Sequence, residues 1–298
     1  MSSAKVVVVR SKVALSLTKE LDKARLVLMI ERGLNLLAGT QEIKEAVSQI
    51  FSPPDRVGIK INTIGGRNIS SRPELSFGLA NLLVQGGLQE KNIIIWDRTN
   101  RELREAGYRL TIDKAQLKVF GTDTEGVGYD TDLVSHLNIG SLFSTILNNF
   151  ITASISLAIL KDHGLAGVTA SMKNYFGSIH NPNKYHDAHC NPFIAELFDT
   201  RPIKSKHKLS ILDGLRIQYH RGPSFHPQWA ENGGLLVFSR DAVAADSVGW
   251  LIIEKLRAQK GLPTLEEEKR KPLYLFTAEK MGLGIAHFDK IQILEDEV

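Results

Sequence analysis

An α/β fold, with a mostly parallel central sheet and helices on both faces, is predicted by three features of the sequence. Short apolar, β-branched runs such as VVVV at 6–9 and IIIWD at 93–97 have the composition of strands buried on both sides. VGIKIN at 57–62 passes into the polar loop TIGGRNISSRP, then a helical stretch over 73–86, then IIIWD; strand, loop, helix, strand is the succession that makes a parallel pair. A third apolar run, SISLAIL, leads into a segment dense in histidine. In such sheets ligands bind beyond the carboxyl ends of the strands, and here those ends carry Lys60, Asn62, Asp97, Arg98, Lys161, Asp162 and His163.

The other elements follow in order. Residues 19–50 space leucine and isoleucine as helices do, with a break at Ala38-Gly39-Thr40, which predicts two helices with a threonine cap between them. RELREAGY after IIIWD predicts a short helix, and GTDTEGVGYDTD within the less legible stretch 121–150 reads as a loop. If AGVTASMKNYFG forms a helix starting just past His163, its small residues let a ligand approach the backbone and its first N–H groups suit an anion. KLSILDG at 208–214 predicts a strand, whereas LRIQYHRGPSFHPQWAENGG is too polar for core and reads as a lid or site rim. LLVFSRD adds a strand, AVAADSVGWLIIEKLRA an amphipathic helix with Asp241 near its start, and KIQIL at 290–294 an edge strand. The expected organisation is a strand and helical segment over 1–54 packed on the core, an α/β core with the site over 55–258, and an extension over 259–298 completing the same domain.

Composition narrows the function classes. With 37 Lys and Arg against 33 Asp and Glu, and no basic run interleaved with aromatics, nucleic-acid binding is disfavoured, while a basic site mouth for an anion stays open. One cysteine makes neither an internal disulfide nor an iron–sulfur cluster, which normally takes four thiolates. Membrane insertion is not expected, because no apolar run approaches the roughly 20 residues that span a bilayer. The expected location is cytoplasmic as the sequence stands, or periplasmic if an export signal has been removed.

Candidate site residues concentrate in 159–190, with seven of the nine histidines between 163 and 226. Imidazole and thiolate hold transition metals, and histidine changes charge near neutral pH. His163, His186 and His189 are the candidate metal ligands, the last two at i, i+3. Lys173, His163 and Asp97 are the candidate catalytic groups, and Lys60, Asn62 and Arg72 the candidate substrate-binding ones. A lysine inside the apolar strand VGIKIN must snorkel or face a polar site. Asp97 could instead cap the next helix, and Cys190 could be a soft ligand or a small buried residue. Gly65-Gly66 and Gly214 form no dinucleotide fingerprint, and no phosphate-binding G-x-x-x-x-G-K-[ST] occurs.

Taken in order, VGIKIN, SSRPEL, IIIWD, LKDHGLAGVTASMKNYFG, HDAHCNP, LSILDGLR with RGP, FSRDAVAADSVGW and MGLGIAHF resemble the domain of unknown function 362 family from about position 55 onward. Members often carry a twin-arginine export signal or a fused ferredoxin module, and this sequence shows neither. More distantly, His163, Lys173 and His189 resemble in spacing a histidine, lysine, histidine set of the lactate racemase-like enzymes, which use a nickel pincer nucleotide. That resemblance implies a lysine that holds the cofactor covalently, a histidine that ligates nickel, and an Arg-Pro element, here Arg72-Pro73, directed at a substrate carboxylate. The sequence departs from those enzymes where they place a Gly-Thr-His proton relay: it has Asp97-Arg98-Thr99-Asn100-Arg101, which removes one of the paired bases racemisation needs.

The expected function is therefore an enzyme, an oxidoreductase or isomerase, with a transition metal or metal-pincer nucleotide, moving a proton or hydride on a small anionic substrate. The alternative is a non-catalytic accessory protein for an iron–sulfur, ferredoxin-like partner. A metal-independent hydrolase using Cys190 with His189 is a third reading, disfavoured because sequence neighbours on a turn rarely align as nucleophile and base.

Overall fold

The computed structural model describes residues 3–12 and 22–298. A nine-stranded mixed sheet forms its centre. The strands are β1 (Ala4–Arg10), β2 (Val57–Lys60), β3 (Ile93–Asp97), β4 (Lys118–Gly121), β7 (Ala153–His163), β8 (Gly167–Thr169), β9 (His207–Gln218), β10 (Ala230–Ser239) and β11 (Ile291–Glu297), while β5 (Val134–His136) and β6 (Ile139–Ser141) pair separately. The order is β11-β1-β10-β9-β7-β2-β3-β4, with β8 folded back on β7. Pairing is parallel along β9, β7, β2, β3 and β4 and between β1 and β11; β10 is antiparallel to both its neighbours.

Side chains alternate across this sheet into two cores, so helices cover both faces as expected. Val7, Val9, Ile59, Ile93, Ile95 and Leu157 face α1 (Lys23–Ala38), α2 (Ile43–Ile50), α3 (Pro73–Gln85) and α4 (Asn100–Glu105). Val6, Val8, Ile94, Trp96, Ala158 and Leu160 face α5 (Ser171–Asn174), α6 (Phe193–Asp199), α7 (Arg201–Lys204), α8 (Ala242–Gln259) and α9 (Leu273–Lys280).

Local chemistry sets the boundaries. Asp22 caps α1 by accepting from Arg25 N, and Gly39 ends that helix with φ 73°, a left-handed conformation glycine adopts without a Cβ clash. The expected threonine cap is not formed: the residue before α2 is Glu42, with no side-chain bond to the helix. The first residues of the stretch starting at 19 lie outside the described residues. β9 runs four residues past the expected end: Leu215, Ile217 and Gln218 are fully buried, and Arg216, Ile217 and Gln218 continue the antiparallel ladder with Asn232, Glu231 and Ala230 of β10.

The largest departure is just after His163. Instead of a helix, Leu165 N and Ala166 N both donate to His163 Nδ1, at 3.2 Å each, closing a turn that sends β8 back antiparallel to β7. The helix begins only at Ser171, and it is short. Its first N–H groups are occupied by an internal carboxylate: Asp246 of α8 accepts from Ser171 N at 2.7 Å and Met172 N at 3.0 Å. Lys173 thus stands in the first turn of α5, clamped to the buried helix beneath.

Candidate functional site

The carboxyl ends of β2, β3 and β7 open into a cleft of about 750 Å³, mouth included, lined among others by Lys60, Asn62, Asp97, Lys161, His163, Lys173 and His186. Three crossing points of the chain build it: the parallel strands deliver the first five, α5 delivers Lys173, and the turns after it deliver His186.

Lys60 and Asp97 form its floor as a closed pair. Lys60 Nζ donates to Asp97 Oδ1 (2.6 Å), Ile61 O (2.7 Å) and Asn174 Oδ1 (3.2 Å), so all three of its N–H groups are engaged. Asp97 Oδ2 accepts from Thr63 N and Thr63 Oγ1, and its Oδ1 also from Arg98 N. The helix after β3 is capped by Thr99, not by Asp97. Gly177 seals this pair: a Cβ there would lie 2.8 Å from Lys60 Nζ and 3.1 Å from Asp97 Oδ1. Lys60 and Asp97 are in the cleft, but as structure-forming partners of one another.

Two other amines are differently placed. Lys161 and Lys173 are buried, and among the described residues neither has a carboxylate within ion-pair distance. Lys161 Nζ donates to Ile64 O at 2.9 Å. Burial pushes its pKa down to about 7, with Asp97 opposing and the Lys173 charge assisting. Lys173 Nζ lies 3.1 Å from His186 Nε2 and 4.0 Å from the Phe176 ring centre, and burial brings it down to about 8.

The two cleft histidines are neutral and of opposite tautomer. His186 Nδ1 is 3.0 Å from Pro182 O, so that nitrogen carries the proton and Nε2 offers its lone pair to Lys173. Burial, then the Lys173 charge, lowers its pKa. His163 Nδ1 accepts two backbone N–H groups, so its proton sits on Nε2 as a donor. Burial, with Lys173 and His186 adding to it, drives His163 down to about 2. The rings stack with centres 5.8 Å apart.

Of the sequence candidates, Lys60, Asn62, Asp97, His163, Lys173 and His186 converge on the cleft. His189 and Arg72 do not line it. His189 is exposed and its Nδ1 donates to Leu165 O at 3.2 Å, while Arg72 precedes α3 and places its charge near Asp213. Asp213 is held up to about 6, chiefly by burial. Cys190 is fully buried, its thiol pushed up by burial and set against His186 O rather than the His189 ring. Among the described residues no three His, Cys, Asp or Glu side chains are grouped to hold a metal ion. Asn174 and Asp246 are contributors that motif reading passes over, and Lys161 stands at a strand end in that reading with no role assigned. The signal for two of them was present, as a charged residue inside an apolar strand and another inside an apolar helix face.

Asp162, between Lys161 and His163, turns away from the cleft into a buried ion cluster. Arg270 Nη1 (2.7 Å), Gly222 N (2.8 Å) and, more distantly, Arg257 meet its carboxylate, and Glu268 bridges the two arginines. The cluster ties the segment after α8 and the 220–223 turn, whose Pro223 lines the cleft, to the end of β7.

Fold and site together define an α/β protein with an amine-rich cleft at the carboxyl edge of its parallel strands. The family described as Domain of unknown function (DUF362) matches residues 57–250, and the chain belongs to that family. No curated protein matches it. A crystal structure of a Thermotoga maritima protein is similar at 11% identity and a TM-score of 0.47, covering 80% of this chain, which spans 59% of that one. Among the described residues no helix is long and apolar enough to cross a membrane.

Proposed function

We propose that the chain is an enzyme that moves a proton or hydride on a small anionic substrate, with Lys173 as the reactive amine. The observation that carries this is the 3.1 Å contact between Lys173 Nζ and the lone pair of His186, inside a buried cleft with no carboxylate paired to that lysine among the described residues. An amine partly neutral near neutral pH is both nucleophile and base, and an imidazole at hydrogen-bond distance can take or return its proton. His163 Nε2–H supplies a neutral donor for charge developing on a substrate oxygen.

The donor set bears on the cofactor. A bare ion held by His163, His186 and His189 does not fit, since His163 presents a proton and His189 is elsewhere. A metal carried mainly by an organic group does fit: Lys173 would clamp an anionic part of the group by charge and His186 Nε2 would face the metal. Bound there, it would supply a Lewis-acidic or hydride-accepting centre.

Intact-mass and elemental analysis of protein from a cofactor-competent host test this, with turnover screened on small carboxylates. Bound metal lost in His186→Gln, and turnover lost in Lys173→Met and His186→Gln, are expected. No turnover in the wild type, or activity surviving both substitutions, would contradict it. In a non-catalytic accessory protein for a ferredoxin-like partner, the same substitutions would alter stability and partner binding while no turnover is found in the wild type.

A further inference from the structure

The proposed function leaves the substrate's charge open, and Lys161 bears on it. Lys161 is fully buried on β7, two residues before His163, with its amine toward the cleft and the Ile64-Gly65 turn; a Cβ at Gly65 would sit 3.5 Å from Nζ. Buried charge without a partner is costly, and a second amine, Lys173, adds repulsion. Each nearby acid is engaged: Asp97 with Lys60, Asp162 with Arg270 on the other side of the strand, Asp246 with the start of α5. Glu102 of α4 also lines the cleft, but among the described residues no ion pair joins it to Lys161 or Lys173.

The cleft therefore holds two amines and the His163 Nε2–H, and among the described residues neither amine has a carboxylate paired to it. Asn62, 9% exposed, adds a buried carboxamide oxygen with no partner among the described residues, an acceptor for a hydroxyl or protonated oxygen on the same ligand. Lys60 cannot share the load, because its three N–H groups already have acceptors.

We propose that the cleft takes a dianion, a dicarboxylate or a phosphate monoester, bridged between Lys161 and Lys173, which makes Lys161 an anion-holding residue of the site. The assignment rests on the functional reading above and adds the second charge and the second lysine to it. One anionic group against each amine satisfies both cations at once; a monoanion leaves one of them bare in a buried site.

Calorimetric titration of the whole chain with malonate, inorganic phosphate and acetate, at fixed ionic strength and neutral pH, tests it. Malonate or phosphate should bind at least about tenfold more tightly than acetate, the worth of one more charge-assisted contact. Malonate ahead of phosphate points to a dicarboxylate, the reverse to a phosphoryl group. In Lys161→Met, checked by thermal melting for an intact fold, the preference over acetate should vanish. The comparison in the wild type stands even if that variant misfolds. Equal binding of all three anions, no binding of any, or a preference that survives Lys161→Met would overturn the assignment. Failure of the enzymatic reading shows itself differently, as no turnover in a protein that still prefers dianions.

Discussion

Lys161 and Asp162 are neighbours on one strand, and both are fully buried, yet they meet opposite fates. Asp162 faces two arginines, a glutamate and a backbone N–H, a closed cluster that holds the chain after α8 against the sheet. Lys161 faces a cavity with one carbonyl as its acceptor. The Lys60–Asp97 pair, in the same cleft, belongs with the first kind. Matched charge holds the fold together; at Lys161 and Lys173, which have no paired carboxylate among the described residues, the proposed anion would supply the match.

That contrast predicts opposite signs for substitutions a few ångströms apart. Asp162→Ala leaves two buried arginine charges short of a partner and should cost about 3–5 kcal/mol in urea unfolding. Lys60→Met strands Asp97, although Thr63 and Arg98 N still bind that carboxylate, so the loss should be nearer 2–3 kcal/mol by the same measurement. Gly177→Ala pushes a methyl group onto the locked Lys60–Asp97 pair and should cost about 1–2 kcal/mol. Lys161→Met should instead stabilise the protein near neutral pH, by about 1 kcal/mol. The lysine's pKa is lower folded than unfolded, so the folded state binds fewer protons, and stability is lost as pH falls from about 10.5 through about 7. Melting curves across that range should therefore diverge most at the acid end and converge at the alkaline end. A destabilised Lys161→Met would place that residue with the closed clusters.

The parallel strands and their helices were legible because each carries its own signal: VVVV, VGIKIN and IIIWD are strands by composition, and α8 begins beside Asp241, the acid its sequence places near the helix start. The convergence of Lys60, Asp97, His163, Lys173 and His186 follows from the rule that ligands gather at carboxyl ends of parallel strands. What stayed hidden depends on contacts distant in sequence. The turn after His163 is closed by a ring nitrogen accepting backbone N–H groups, and α5 is started by an aspartate 75 residues away, so local spacing suggested a longer helix. His189 looked equivalent to His186 by spacing alone; its positive φ of 57° takes it out of the helical turn that would have aligned the two. Arg72 was separated from the cleft by the same kind of geometry, at the entrance of a helix beneath the other face of the sheet.

The central claim is that Lys173 is a buried amine, with no carboxylate partner among the described residues, poised beside a histidine lone pair. Acylation of individual lysines by a small reagent, followed by mass spectrometry as a function of pH, measures this directly. Lys173 should label with a midpoint near pH 8, the value to which burial lowers it. His186→Gln should change that labelling profile. A midpoint in the range of ordinary surface lysines, unaffected by His186→Gln, would contradict the account.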